Sequence, residues 1–311
     1  MTLDPGLRAL LDQMALLPVP TPEQDTPAAG RMMYVAMRDT VSGPPPQLPV
    51  VRDVMVDGAA GPLKARIYDT VDGPARPPLI YFHGGGFVIG DLDSHDTLCR
   101  QLALDGGFRV IAVDYRLAPE AKFPAAPLDC IAATRTIAKS PAAYGVDPAR
   151  IVVAGDSAGG NLATVVARDA AKHGDLNIAL QVLIYPVTQM QRNGGSRDDF
   201  AEGYFLTKAR MDWFDAHYTG GVDHDDDRLS PLKFDVPKGL APAYIVTAGF
   251  DPLRDEGKEY ADKLARAGVA TTYVNYEDQI HGFFNMPAVS RVSRQAITDA
   301  AKAAGKALGV H

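Results

Sequence analysis

The sequence predicts an α/β fold built on a mostly parallel sheet of eight strands, with helices on both faces. From about residue 50 onward, short β-rich segments alternate with amphipathic helical segments, which is the order of a doubly wound sheet. Several strand segments, such as IVVAG and AYIVTAG, are almost entirely apolar, as expected for strands buried on both faces. The 311 residues, 46% of them hydrophobic, are enough for one large continuous core.

The strands and helices of this part of the chain follow in a regular order. Residues 58–61 separate the first two strands, which we expect to form an antiparallel hairpin. The predicted strands are residues 51–56, 64–69, 79–83, 109–115, 151–155, 180–185, 243–248 and 271–276. The predicted helices are residues 95–105, 125–143, 158–172, 253–267 and 289–308.

Two segments do not fit the alternation, and we interpret them together as a helical cap over the carboxyl edge of the sheet. Residues 1–50 form its N-terminal part, with a helix near residues 5–17 followed by a Pro-rich and then a Met-rich stretch. Residues 188–240 are a cap insertion, part of which is also compatible with the core, and contain the helical segment Lys208–Tyr218. The α/β core then comprises residues 51–187 and 241–311. The methionines suit a lid over varied apolar substrates, but ordinary core filling explains them equally well.

The composition and charge of the chain argue against nucleic-acid binding and against insertion into a membrane. A net charge of −7 without any basic stripe argues against nucleic acid as a partner. The N-terminus lacks a basic segment before an apolar one, and no run approaches about 18 apolar residues. We therefore expect a soluble cytoplasmic protein without stable membrane insertion. The acidic run 223–227 lacks the spacing of a calcium loop, and we expect neither a metal nor another cofactor.

The segment Gly155-Asp156-Ser157-Ala158-Gly159 directly follows a predicted strand and opens a helix. In this context, G-x-S-x-G forms a sharp turn that holds the serine in strained backbone geometry with its hydroxyl exposed. Small residues two positions on either side are required because the turn leaves no room for a Cβ atom. The alternative, a Gly-rich turn without chemistry, does not explain this placement. The pattern predicts Ser157 as a nucleophile of the α/β-hydrolase type.

A serine hydroxyl needs a base, and the base must be oriented by a third group. In this fold the partners follow later strands in the order Asp, then His. His281 lies after the last predicted strand and before the last helix, which predicts it as the base. Asp251 and Asp255 both follow the strand 243–248, and we favour Asp251 because it is nearer the strand end. Pro252 suits the first turn of the next helix, which would place Asp255 one turn into that helix.

The segment His83-Gly84-Gly85-Gly86-Phe87 follows the third predicted strand. Successive glycines let the backbone approach a substrate and direct several N–H groups at one point. A phosphate-binding loop is the alternative, but neither G-x-G-x-x-G nor a following Walker lysine is present. The predicted oxyanion hole comprises Gly84, Gly85, Gly86 and Ala158.

Together the motifs HGGGF, YRLAPE, GDSAGGN, DPLRDEG and HGF resemble those of the hormone-sensitive-lipase-like esterases, bacterial family IV of the α/β-hydrolase superfamily. The resemblance spans residues 80–290 and implies an α/β-hydrolase core with a helical cap. It implies a triad and an oxyanion hole in which His83 and Asp156 act as supporting residues. It also implies short to medium acyl esters as substrates and a protein that is often a homodimer. By this resemblance the triad is Ser157, Asp251 and His281, and the oxyanion hole is Gly85, Gly86 and Ala158.

The expected function is therefore a serine carboxylesterase that binds a small-molecule ester and uses no cofactor. Hydrolysis of lactones, carbamates or amides by the same triad stays open, because a fold does not select the substrate. A non-catalytic small-molecule receptor is a more remote alternative. Such a receptor would be expected to lack part of the triad, and this chain keeps all three residues.

Overall fold

The computed structural model describes residues 2–18 and 24–310, and within them eight strands form one sheet. The strands are β1 Val50–Gly58, β2 Gly61–Asp69, β3 Pro78–Phe82, β4 Arg109–Val113, β5 Ile151–Asp156, β6 Ile178–Ile184, β7 Ala243–Phe250 and β8 Thr271–Ile280. The helices are α1 Pro5–Met14, α2 Pro27–Ser42, α3 Asp96–Gly106, α4 Ala125–Lys139, α5 Pro141–Tyr144, α6 Ala158–His173, α7 Ser196–Asp199, α8 Lys208–Tyr218, α9 Arg254–Arg266 and α10 Ser293–Leu308. Short 3₁₀ helices span Pro231–Lys233 and Phe283–Asn285.

The strand order across the sheet is β1-β2-β4-β3-β5-β6-β7-β8. β2 runs antiparallel to both of its neighbours, β1 and β4, and all pairs from β4 to β8 are parallel. The predicted hairpin of the first two strands is confirmed, with Gly58 opposite Gly61 at its end. The last strand extends to Ile280, four residues beyond the predicted end. This extension carries the chain directly to His281 at the carboxyl edge of the sheet.

Helices cover both faces of the sheet, as predicted. Alternate residues of each central strand enter opposite cores, so that Val153 of β5 faces one core and Val152 the other. The first core is closed by α4, α6 and α9, and the second by α3 and α10. The period-two alternation of side chains along a strand explains why both sets of strand residues are apolar.

The helix α2 was not predicted, and it occupies the Met-rich stretch. The Thr26 side chain caps it by accepting the Ala29 N–H at 3.2 Å, and Pro27 occupies its first position, where a missing N–H costs nothing. Met32 and Met33 are 69% and 62% exposed, so core filling is the wrong explanation for these two side chains. Because these apolar side chains lie on the exposed face of α2, the sequence does not show the one-sided apolar pattern by which an amphipathic helix is recognised.

The two segments outside the alternation contact each other. Residue Asp25, just before α2, accepts a hydrogen bond from Arg210 Nη1 at 2.8 Å, and its carbonyl oxygen accepts one from Trp213 Nε1 at 3.2 Å. Both donors lie on α8. None of the described helices is long and apolar enough to cross a membrane. Within residues 2–18 and 24–310, no group of His, Cys, Asp and Glu side chains is arranged to hold a metal ion.

A buried carboxylate joins β2 and β4 at one end of the sheet. Asp69 is fully buried and accepts hydrogen bonds from Arg76 Nη1 at 2.6 Å and Arg109 Nε at 2.8 Å. We expect Asp69→Asn to lower the free energy of unfolding by ~3–5 kcal/mol, because two guanidinium groups lose their counter-charge. Urea unfolding measures the difference.

The matched control is Asp39→Asn, which removes an exposed ion pair with Arg38. Its effect should stay below about 1 kcal/mol, because water screens an exposed pair. Equal losses in the two variants would show that the buried Asp69 pair does not stabilise this edge of the sheet.

Candidate active site

Ser157 occupies a strained turn between β5 and α6. Its φ is 56°, a value that residues with a side chain rarely adopt, and its N–H donates to Ile184 O at 2.8 Å. A Cβ atom on Gly155 would lie 2.3 Å from Gly159 O, and one on Gly159 would lie 1.9 Å from Phe82 O. Any larger residue at these positions would push β3, β5 and α6 apart. The structure therefore confirms that the positions two residues before and after Ser157 have no room for a Cβ atom.

The side chains of Ser157, His281 and Asp251 meet at the carboxyl edge of the sheet. His281 Nε2 lies 2.9 Å from Ser157 Oγ, and His281 Nδ1 lies 2.8 Å from Asp251 Oδ2. Because a carboxylate can only accept, Nδ1 carries the proton and Nε2 is left to accept from the serine hydroxyl. Asp251 is fully buried, and its second oxygen accepts the Leu253 N–H at 2.8 Å. This arrangement fixes both the orientation and the tautomer of the histidine.

The alternative carboxylate, Asp255, points away from His281. Its Oδ2 accepts the Ser196 N–H at 2.9 Å, and its Oδ1 accepts from Arg254 Nε at 2.8 Å. The helix α9 begins only at Arg254, so Pro252 precedes it and Asp255 lies in its first turn, not one turn into the helix as predicted. The geometry brings Asp251, and not Asp255, to the histidine.

One of the three glycines proposed for the oxyanion hole is engaged elsewhere. The Gly84 N–H donates to Asp156 Oδ1 at 2.9 Å, so including Gly84 was wrong: its N–H faces a carboxylate, which would repel an oxyanion. In the described part of the chain, the N–H groups of Gly85 and Gly86 have no acceptor. Ala158 is the first residue of α6, and a helix leaves its first N–H groups without an intrahelical acceptor. Three N–H donors beside Ser157 in the chain or in the glycine loop are therefore without an acceptor among the described residues.

A buried carboxylate links the nucleophile turn to the glycine loop. Asp156 is the residue before Ser157. Its carboxylate accepts hydrogen bonds from the Gly84 N–H and from Tyr81 Oη at 2.7 Å. A third donor is His95 Nε2, which lies 3.2 Å from Asp156 Oδ1. Burial alone would raise the pKa of Asp156, but the charge and hydrogen bond of His95, with the Tyr81 hydrogen bond, hold that pKa below its ordinary value. The carboxylate therefore stays ionised and keeps the glycine loop in place.

His83 supports the same loop from the other side. Its Nδ1 lies 2.8 Å from Gly84 O, and its ring stacks on Tyr115 with centroids 4.4 Å apart. Tyr115 Oη in turn donates to His83 O at 2.8 Å. Burial, with the nearby His95, lowers the pKa of His83 to about 4. A neutral ring at physiological pH suits a residue that holds the loop by donating a hydrogen bond.

The sequence did not predict His95 as a residue of this site. It lies at the start of α3, where its Nδ1 is 2.9 Å from Ser94 Oγ, and no motif marks it as a partner of Asp156. The sequence separation of 61 residues between His95 and Asp156 leaves no periodic or spacing signal. Its position shortly after the glycine loop is the one feature that could have suggested a supporting role.

Two cavities meet at Ser157. The larger, about 470 Å³, is lined by residues of α1, α2 and α8 together with the glycine loop, and it also reaches His281. The smaller, about 60 Å³, shares Phe214 and Leu206 with the larger one and reaches Ser157 without contacting His281. The site therefore combines an activated hydroxyl, a base and free N–H donors with space for an apolar molecule.

An eight-stranded sheet with a serine turn after β5 and Asp and His after the last two strands defines an α/β hydrolase. A sequence profile of the α/β-hydrolase fold matches residues 79–285. The chain is 42% identical to the carboxylic ester hydrolase LipN of Mycobacterium tuberculosis over 294 residues, 92% of this chain and 78% of LipN. It is 43% identical to an ethyl acetate hydrolase of Pseudomonas putida over 217 residues, 69% of this chain and 68% of that enzyme.

Among solved structures, an ester hydrolase from the metagenome of Lake Arreo superposes with a TM-score of 0.94 at 44% identity, covering 99% of this chain and 100% of that chain. The chain belongs to the hormone-sensitive-lipase-like family of α/β hydrolases, as its motifs predicted.

The link between His95 and Asp156 can be tested through the reactivity of Ser157. We expect His95→Leu to slow the labelling of Ser157 by a fluorophosphonate about ten- to a hundred-fold, because a loosened glycine loop stabilises the phosphoryl oxygen less well. His95→Gln, whose amide can still donate to Asp156, should restore most of the rate. Labelling kinetics and the melting temperature are measured on the same samples. Wild-type labelling by a folded His95→Leu variant would contradict a positioning role.

Proposed function

We propose that this protein is a carboxylic ester hydrolase that forms an acyl-enzyme on Ser157. The observation that carries the proposal is the hydrogen-bonded chain from Ser157 Oγ through His281 to Asp251, which opens on an apolar cavity. The names of the relatives from M. tuberculosis and P. putida, a carboxylic ester hydrolase and an ethyl acetate hydrolase, support the same reaction.

In the first half-reaction, Ser157 Oγ attacks the ester carbonyl carbon and His281 Nε2 takes the hydroxyl proton. Asp251 stabilises the imidazolium that forms, and being buried it does so in a medium of low polarity. The carbonyl oxygen becomes an oxyanion that accepts hydrogen bonds from the N–H groups of Gly85, Gly86 and Ala158. The positive end of the α6 dipole lies beside the same atom.

The tetrahedral intermediate collapses when His281 Nε2 gives its proton to the leaving alkoxide, and the alcohol departs. A water molecule then attacks the acyl-enzyme while the same nitrogen removes its proton. The second intermediate collapses by returning that proton to Ser157 Oγ and releasing the acid. Every proton transfer therefore passes through one nitrogen, whose tautomer Asp251 fixes.

The cap, the cytoplasmic location and the homodimer are part of this proposal. The helices α1, α2 and α8 line the large cavity, which supports a cap made of residues 1–50 together with an insertion within residues 188–240. On this division, substrate selection belongs to the cap, and bond cleavage belongs to the edge of the sheet.

The first test is Ser157→Ala. Removing the nucleophile should lower kcat for a chromogenic butyrate ester by roughly 10⁴–10⁶-fold while the protein stays folded. A fluorophosphonate should label the wild type once and the variant not at all, as mass spectrometry measures. A variant that keeps its activity and is labelled at another serine would refute the assignment.

The second test compares two aspartates that lie four residues apart. We expect Asp251→Asn to lower kcat about 10⁴-fold, because an amide no longer holds His281 in the productive tautomer. Asp255→Asn, the matched control, should change stability by about 1 kcal/mol and leave kcat within a few-fold of wild type. Steady-state kinetics and urea unfolding of both variants separate the two effects. A larger kinetic loss in the Asp255 variant would show that the wrong carboxylate was assigned.

A further inference from the structure

Besides the hydrogen bond between His281 and Ser157, a second one joins the loop that carries the base to the turn that carries the nucleophile. Asn285 ends the 3₁₀ helix Phe283–Asn285, four residues after His281. Its side-chain Nδ2 donates to Asp156 Oδ2 at 3.3 Å. Because Asp156 directly precedes Ser157, both hydrogen bonds connect the same two segments of the chain.

The backbone of Asn285 is held in place by the last turn of α2. Its carbonyl oxygen accepts a hydrogen bond from Ser42 Oγ at 2.7 Å. Three residues further along the loop, the Ala288 N–H donates to Val41 O at 2.9 Å. These two contacts fix the loop against α2 and thereby keep the Asn285 amide within reach of Asp156.

Asn285 reaches the reacting groups only through Asp156 and its own loop. In the described part of the chain, it is not among the residues that line the two cavities at Ser157. Asp156 is 2% exposed, and an ionised acceptor binds an amide donor more strongly than a neutral acceptor does. A loop freed from this carboxylate could carry His281 away from Ser157, and a misplacement of ~1 Å can cost ~100-fold in rate.

We propose, on the basis of the esterase function above, that Asn285 is a positioning residue that sets the distance between His281 Nε2 and Ser157 Oγ. The loop with the base and the turn with the nucleophile come from β8 and β5, which are not neighbours in the sheet. A side-chain link between the two strand ends therefore supplies a constraint that the hydrogen bonds of the sheet do not.

The first variant, Asn285→Leu, removes the amide donor and keeps a side chain of similar size. We expect kcat for a chromogenic butyrate ester to fall about ten- to a hundred-fold, because the base is held less well. KM should stay within about two-fold of wild type, since Asn285 does not contact the substrate. Wild-type kcat in a folded variant would overturn the proposal, and so would a loss confined to KM.

A second variant, Asn285→Asp, gives a pH dependence that a loss of packing would not produce. A protonated carboxyl group can donate to Asp156 as the amide does, whereas an ionised one can only accept and is repelled. The charge of Asp156 raises the pKa of the introduced carboxyl group, so the link is present at acid pH and is lost as the pH rises. We expect the ratio of its kcat to that of wild type to fall at least about ten-fold from about pH 5 to about pH 8. The ratio for Asn285→Leu should stay constant.

The other titratable groups around Asn285 are the same in every variant, so their effects cancel in these ratios. Protonation of His281 at acid pH, for example, lowers kcat in the variant and in wild type alike. The charged and titratable groups that face Asn285 or the cavity beside it are Asp156 of β5, His95 before α3, Tyr34 and Arg38 of α2, and His281 of the same loop.

The matched control is Asn275→Asp, the same substitution on the strand that leads to His281. Asn275 Oδ1 accepts from Thr247 Oγ1 at 2.9 Å, and a carboxylate can accept the same hydrogen bond. We expect its kcat ratio to be independent of pH. A fall with pH as large as that of Asn285→Asp would show a general effect of added charge and would overturn the proposal.

Exchanging the two groups provides a test that does not depend on the leucine variant being folded. Asp156→Asn combined with Asn285→Asp again places one amide against one carboxylate, and both changes are nearly isosteric. At about pH 8 the double variant should exceed the product of the two single effects on kcat by at least about ten-fold. Multiplicative losses would refute a direct link between the two side chains.

Failure of this proposal is distinguishable from failure of the esterase function. If the wild type hydrolyses no ester and a fluorophosphonate does not label Ser157, the esterase function is wrong and the role of Asn285 falls with it. If the wild type is active and labelled, but both Asn285 variants keep its kcat and pH profile, the esterase function stands and the positioning role is refuted.

Discussion

The positive φ of Ser157 is the constraint on which the rest of the site depends. A residue with a side chain keeps such a backbone conformation only when its surroundings leave no alternative. Here β5 and α6 are held against β3 so closely that Gly155 and Gly159 have no space for a Cβ atom. The packing of three elements thus offsets the strain at one residue. The same packing directs the hydroxyl out of the sheet and toward His281.

The residue before the nucleophile extends this constraint to the glycine loop. Asp156 is buried and ionised, so it must be surrounded by donors, and one of those donors is the Gly84 N–H. Gly84 is therefore an anchor of the loop, and the neighbouring glycines are the ones left to face a substrate. His95 and Tyr81 complete the shell around the carboxylate. The serine turn and the glycine loop are in this way joined by one buried charge.

The helices outside the sheet determine the shape of the space above this rigid base. Asp25 joins the segment before α2 to α8 through Arg210 and Trp213, and α8 carries the Phe214 ring to Gly86. A side chain of α8 therefore contacts the glycine loop. The position of α8 and the shape of the space above Ser157 are therefore linked through one aromatic ring, because Phe214 lines both cavities that reach Ser157.

The sequence by itself determined the eight strands, their alternation with helices, and the positions of Ser157, Asp251 and His281. These features follow from local composition and from the order of strand ends, and both are readable along the chain. The preference for Asp251 over Asp255 also came from local spacing.

Only the tertiary structure decided that Gly84 faces Asp156, that His95 reaches the same carboxylate, and that Phe214 lies against Gly86. The helix α2 was likewise evident only in the structure, because its exposed apolar side chains hide the amphipathic pattern in the sequence. These contacts join side chains many residues apart, where side-chain direction and packing, and not sequence spacing, determine which groups meet.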